Sequence, residues 1–210
     1  MSYQREFKKR IPIAVIGAGS HTYRNVLPVL NYLPVELRAI CNPTEDKGQK
    51  TAKQYGCAHY TSAEVLYKKE PDIEAVFIIV SPRMHPALVK EALGAGKHVW
   101  VEKPVALRAQ QVEELIAAKA GKVVVVAHKK AFMPAAVKAK EIIAAPAYGN
   151  LRSLLAVYPM TIPENGEEVL SKMEAPNWLL NGVHPLSFLS EMGGKVKEVC
   201  AFTNKAGHAM

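Results

Sequence analysis

The apolar run from Ile11 to Ile16 leads directly into Gly17-Ala18-Gly19-Ser20-His21-Thr22, and no other feature of the chain narrows its fold as much. A block that is hydrophobic at consecutive positions is the pattern of a strand buried on both faces. Glycines placed directly behind such a strand permit a tight turn. They also let backbone approach a pyrophosphate seated on the N-terminus of the next helix. Thr22 stands where the third small residue of G-x-G-x-x-G/A belongs, so helix and strand pack less closely there. A glycine pair alone is only a strand-to-helix turn. The context of a dinucleotide site is present here, with a buried strand before it, a helix after it and a second strand ending about twenty residues on.

Further blocks of the same kind follow at Val35 to Cys41, Ile73 to Val80, His98 to Val101 and Val123 to Val126. Between them lie segments with helical spacing. Thr44 ahead of Glu45 and Asp46 is a good N-cap with acids at the positive end of the helix dipole. Thr61 with Glu64 has the spacing of a capping box for a helix to about Lys69. Met84 to Leu93 and Leu107 to Ala120 are closed by Gly94 and Gly121, where C-cap glycines belong. Strand and helix alternating in this way predict an α/β fold, a doubly wound parallel sheet of the Rossmann type, over residues 1–127. After Ala127 the texture changes. A helix is expected from Pro134 to Ala144, a strand from Leu151 to Tyr158, a proline-rich loop to Pro176, a helix from Asn177 to Met192 and a strand from Val196 to Thr203. Residues 128–210 therefore read as a short α+β domain for substrate binding or oligomerisation.

Composition excludes more than it assigns. Cys41, Cys57 and Cys200 are odd in number and far apart, which gives neither a disulfide framework nor a zinc spacing, and a reducing, cytoplasmic setting is expected. The residues after Arg10 form too short an apolar stretch for a signal peptide or a membrane span. The net charge of +8 is spread along the chain without an aromatic-basic ladder, so no nucleic-acid partner is expected. A basic field suits an anionic cofactor or substrate better than a nucleic acid, and a solvated lysine-rich surface is the first explanation of it. At the end of the second strand, where an acid ordinarily holds the ribose hydroxyls of NAD, this chain has Asn42. A neutral residue there, with Thr44 and Lys47 close by in sequence, removes the repulsion against a 2′-phosphate and permits NADP as well as NAD.

The run from Ala95 to Pro104, with Glu102-Lys103-Pro104 at its end, resembles the signature of the glucose-fructose oxidoreductase/inositol dehydrogenase (Gfo/Idh/MocA) family. So do Gly17 to Thr22, and Ser81-Pro82-Arg83-Met84-His85 is similar to that family's Thr-Pro-x-x-x-His loop. The resemblance covers the first domain in order and spacing. It implies that Lys103 contacts both the nicotinamide ribose and the substrate hydroxyl, beside a cis bond before Pro104. Gly17, Gly19, Ser20, His21 and Thr22 would cradle the pyrophosphate and Asn42 would meet the adenosine ribose. Ser81, Pro82 and His85 would line the nicotinamide half, with Glu102 at the cofactor site. Asn181-Gly182-Val183-His184 is similar to the family's Asp-x-Gly-x-His element, which implies an acid-base role for His184. Imidazole alone titrates near neutral pH without help, so the residue suits that role; a half-buried helix histidine on a nearby carbonyl is the other reading.

Two departures accompany the likeness. The aspartate expected four residues before this histidine is Leu180, and the one often found three after it is Ser187. Lys129 and Lys130 stand near a basic residue that begins the family's second domain, facing cofactor or substrate. The family's second domain is also longer, with an open sheet of several strands. Two strands alone are marginal, so their edges are expected to be covered by the first domain or by another subunit of a homo-oligomer such as a dimer. The expected function is an NAD- or NADP-dependent oxidoreductase moving a hydride to or from a secondary alcohol or ketone of a sugar- or cyclitol-like substrate. Lys103 and His184 would be catalytic and no metal is required. The alternative is a catalytically degenerate dinucleotide-binding protein, a sensor or an assembly factor.

Overall fold

The computed structural model describes residues 7–159 and 178–200. They fall into two compact units: one runs to Ala127 and takes in residues 178–180, and the other begins at His128 and resumes at Asn181.

The first unit is built on six parallel strands, β1 (Ile11–Ile16), β2 (Val35–Cys41), β3 (Ala58–Tyr60), β4 (Ala75–Ile78), β5 (His98–Val101) and β6 (Val124–Val126). Their order across the sheet is β3-β2-β1-β4-β5-β6. The chain therefore winds outward from β1 in one direction and from β4 in the other, and the crevice between these two neighbours opens beyond their carboxyl ends. Both faces are covered because every central strand is apolar on both sides. Ile13 and Val15 pack with Leu27, Leu30 and Ile40 on one face. Ala14 and Ile16 pack with Val76, Ile78, Val89 and Leu115 on the other. A short π-helical turn, Thr22–Val26, leads into α1 (Leu27–Leu30); α2 (Glu45–Tyr55), α3 (Ala63–Lys69), α4 (His85–Gly94) and α5 (Ala109–Ala118) complete the layers.

Local chemistry sets the helix ends. Gly56 takes the left-handed conformation, φ 65°, that terminates α2. The cap of α3 is Ser62, whose Oγ accepts from the Val65 amide at 3.3 Å, and not Thr61. The start of α5 is secured by Gln111, whose Oε1 accepts from the amides of Leu107 and Arg108 at 3.1 and 3.2 Å. Strand β2 carries one extra residue. Ile13 pairs with Leu37 but Ala14 pairs with Ala39, so Arg38 bulges out of the ladder with β1.

The second unit contains α6 (Pro134–Ala144) and α7 (Val183–Gly193), with a 3₁₀ turn, Lys129–Phe132, packed against α7. Gly194, at φ 83°, closes α7 as its glycine pair implied. Neither strand expected here forms among the described residues: 151–159 and 196–200 carry no ladder, and 201–203 lie outside the described residues. Propensity alone does not make a strand when no partner takes up its backbone groups. Leu155 and Val157 are 89% and 77% exposed. Among the described residues no helix is long and apolar enough to cross a membrane.

Candidate functional site

The carboxyl ends of β1, β2 and β4 border a cavity of about 610 Å³, with Gly17 and Gly19 on one side, Asn42 and Lys47 on a second, and Ser62 and Leu88 beyond. Gly17 adopts φ +102°, and a Cβ there would come within 2.2 Å of the Ile79 carbonyl oxygen, so no other residue fits. A Cβ on Gly19 would meet nothing within 4 Å. The absence of a side chain at that position leaves the helix-opening amides accessible, and the first amides of a helix have no intrahelical acceptor. A cradle with bare backbone at the positive end of a helix matches a diphosphate in charge and in donors. Thr22 is fully buried and its Oγ1 donates to the Gly17 carbonyl at 2.8 Å, so it braces the turn from behind.

Asn42 is 8% exposed, and both ends of its carboxamide are engaged. Oδ1 accepts from the Ala18 amide at 3.1 Å and Nδ2 donates to the Thr44 carbonyl at 3.0 Å. It therefore ties the end of β2 to the glycine loop and leaves no negative charge at this wall of the cavity. His59 supports the same turn, with its ring Nε2 3.1 Å from the Asn42 carbonyl oxygen. That ring occupies the space in front of Gly48, where a Cβ would lie 2.0 Å from Nε2. Burial pushes the Cys41 thiol up to about 11, so this cysteine on the cavity wall is a protonated, unreactive group at neutral pH.

Lys103 follows β5, and the bond to Pro104 is cis, as the resemblance implied. Its Nζ donates to the Leu180 carbonyl at 2.5 Å. Two imidazoles hold the segment around it. The carboxylate of Glu102 takes His21 Nε2 at 2.9 Å on Oε1 and the Lys103 amide at 3.1 Å on Oε2. His85, fully buried, has Nδ1 2.7 Å from the Pro104 carbonyl oxygen and Nε2 3.1 Å from that of Val80. Burial holds its pKa below the ordinary 6.5 against the pull of those two carbonyls, so the ring is neutral and donates one proton, to the nearer oxygen. His85 thus joins the end of β4 to the lysine segment from inside the protein. Ser81 and Pro82 open the turn before α4.

In the second unit His184 is 7% exposed on α7. It lines a cavity of about 360 Å³ with Lys130, Tyr158 and Phe188. The rings of His184 and Tyr158 lie 6.0 Å apart, and the Lys130 ammonium sits 5.8 Å above the Tyr158 ring, within cation–π range. Of the two lysines expected near a ligand, Lys130 lines this cavity. Ser187 spends its hydroxyl on the His184 carbonyl, 3.0 Å away. Tyr158 carried no motif and was not expected from sequence; its contacts with His184 and Lys130 mark it. Among the described residues no cluster of side chains is arranged to hold a metal ion.

A sequence model described as an oxidoreductase family with an NAD-binding Rossmann fold, Gfo/Idh/MocA, matches residues 11–128. The chain belongs to the Gfo/Idh/MocA family. With that membership comes an NAD(P)-binding Rossmann domain. A Streptomyces violaceoruber protein, dTDP-3,4-didehydro-2,6-dideoxy-alpha-D-glucose 3-reductase, is 27% identical over 194 residues, 90% of this chain and 56% of that protein. A 3-ketoreductase from Actinomadura kijaniata, crystallised with NADP and TDP-benzene, aligns with a TM-score of 0.60 at 26% identity over 64% of this chain and 42% of its own. The myo-inositol 2-dehydrogenase of Lactobacillus plantarum shares the fold, with a TM-score of 0.70 at 21% identity over 88% of this chain and 57% of its own. This Gfo/Idh/MocA chain thus spans just over half the length of the first of these relatives.

Proposed function

We propose that this Gfo/Idh/MocA protein is an NADP-preferring ketoreductase, or the matching dehydrogenase, acting on a secondary alcohol or ketone of a sugar- or cyclitol-like ring. Residues 1–127 would bind the dinucleotide and residues 128–210 would contribute the substrate side. The observation that carries the reading is the fixed ammonium of Lys103 at the carboxyl end of β5, where open α/β sheets bind ligands. The bound dinucleotide supplies or accepts the hydride. Gly17, Gly19 and the amides from Ser20 to Thr22 hold its diphosphate, and Ser81 and Pro82 border its nicotinamide half. Asn42, which brings no charge, leaves Thr44 and Lys47 to receive a 2′-phosphate. Lys103 holds the substrate oxygen and stabilises negative charge that develops on it, while His184 exchanges the hydroxyl proton.

The S. violaceoruber and A. kijaniata relatives, named as a deoxysugar reductase and a 3-ketoreductase, support a keto-sugar over an open-chain substrate. The test is an assay of the purified chain over a panel of keto-sugars and cyclitols with NADPH and with NADH. The expected outcome is turnover of at least one ring ketone, faster with NADPH. Ser187, bound to the His184 backbone, supplies no carboxylate to orient the imidazole, and this favours a second reading. On that reading the chain binds dinucleotide as a sensor or assembly factor, and the panel would give tight binding with no turnover.

A further inference from the structure

His21 sits inside the glycine loop, where a side chain would be expected to meet the diphosphate. Its ring instead turns to Glu102, with Nε2 2.9 Å from Oε1, and its other nitrogen, Nδ1, is 3.0 Å from Nδ2 of Asn25. A carboxylate only accepts, so Nε2 must carry the proton; in the neutral ring Nδ1 is then an acceptor, and Asn25 must present its amide N–H. With the ring neutral, one proton arrangement satisfies the whole chain, from the Asn25 amide to Nδ1, from Nε2–H to Oε1 of Glu102, and from the Lys103 amide to Oε2. In this state the imidazole has no donor left for an anion.

We infer that His21 is a positioning residue for Lys103, acting through Glu102, and that its side chain is not a ligand of the diphosphate. The inference rests on the reading of Lys103 as the group that holds the substrate oxygen. His21 couples two loops that are 81 residues apart in sequence, the one that grips the dinucleotide and the one that carries the lysine. The two-point hold on the Glu102 carboxylate fixes the rotation of the peptide from which the Lys103 side chain departs. His85 fixes the far side of the same segment through the Pro104 carbonyl. Without His21, Oε1 of Glu102 loses this donor and the carboxylate is free to swing, while the Lys103 ammonium keeps the Leu180 carbonyl and His85 keeps the far side of the segment.

The test uses the full chain with His21→Ala, His21→Gln and His21→Asn. A glutamine amide nitrogen reaches the place of Nε2, whereas that of asparagine reaches only the place of Nδ1, so the first restores the bond to Glu102 and the second does not. Three quantities are read: the amide proton shift of Lys103 by NMR, the Kd of NADPH, and kcat on a ring ketone turned over by the unaltered chain. His21→Ala and His21→Asn should move the Lys103 amide and lower kcat about tenfold, the scale of loss from small misplacement of a reacting group, with the Kd of NADPH within about twofold. His21→Gln should bring the amide shift and kcat back toward the parent and leave the Kd where it was. A Kd that rises in step with the loss of turnover would make His21 a diphosphate ligand and overturn the proposal, as would a Lys103 amide that does not move. If the parent chain turns over no ketone, the enzymatic reading fails, while the amide shift and the NADPH Kd still decide whether the bridge exists and what it touches.

Discussion

The ammonium of Lys103 is held 2.5 Å from the main-chain carbonyl of Leu180. Leu180 stands where the family motif carries an aspartate. A carbonyl orients an ammonium without neutralising it, whereas a carboxylate would cancel most of its charge. The Leu180 carbonyl therefore gives Lys103 an anchor that brings no charge of its own. The lysine takes this anchor from backbone that any residue at position 180 supplies.

Lys103→Ala should lower kcat by about 10²-fold or more, the usual scale for a positioned acid or base, and leave the Kd of NADPH within a few-fold. Steady-state kinetics beside a fluorescence titration of NADPH checks both halves. A variant with parental turnover removes Lys103 from the reaction.

Asn42→Asp keeps an acceptor for the Ala18 amide but turns a donor toward the Thr44 carbonyl into a carboxylate oxygen. The added charge repels a 2′-phosphate and offers an acceptor to a ribose hydroxyl. The ratio of NADP to NAD affinity should fall about tenfold or more, corresponding to roughly 1.4 kcal/mol of discrimination. Paired titrations with the two nucleotides read it directly, and an unchanged ratio excludes this turn as the site of selection.

Gly48→Ala sets two effects against each other. Alanine gains about 1 kcal/mol of helix propensity inside α2, but its Cβ meets the His59 ring at 2.0 Å, and overpacking of this kind costs about 1–3 kcal/mol. The single variant should be no more stable than the parent. Adding His59→Ala frees the space and should return stability relative to His59→Ala alone. Urea unfolding of the four proteins gives the coupling, and simple additivity would mean that the two residues do not compete for the same volume.

His85 makes stability depend on pH in a definite direction. Its native pKa lies below the ordinary 6.5, so between these values the unfolded chain binds the proton and the native protein does not. Stability therefore rises with pH through this window. The contribution is complete above about pH 6.5 and is lost as pH falls toward the native value. An NMR titration of the His85 ring protons should show a midpoint below 6.5, and denaturation midpoints should decline as pH falls below that value. A ring that titrates normally would contradict the buried, neutral assignment.

Much of the first domain was legible because strands buried on both faces leave unbroken apolar blocks. β1, β2 and β5 begin and end where those blocks do. β3 was missed because Ala58, His59 and Tyr60 are only partly buried at the edge of the sheet and are too few to show a period. The segment 151–158 was misread for the opposite reason, since its β-branched and aromatic side chains suit a strand that has no partner in the described structure. Glycine spacing pointed to the turn after β1 that borders the cavity, and the Glu-Lys-Pro run pointed to the segment after β5 with its cis bond. What side chains do to each other across long separations was hidden. That Asn42 is consumed by the backbone, that His21 reaches Glu102, and that Tyr158 meets His184 all depend on how distant segments are brought together.

The extra residue at Arg38 separates β2 into two stretches that answer to different neighbours. Ahead of it Val35 to Leu37 follow β1, and beyond it Ala39 to Cys41 are locked to both β1 and β3. A change in the turn before the strand therefore meets a break in the ladder before it reaches Asn42, whose Oδ1 accepts from the Ala18 amide.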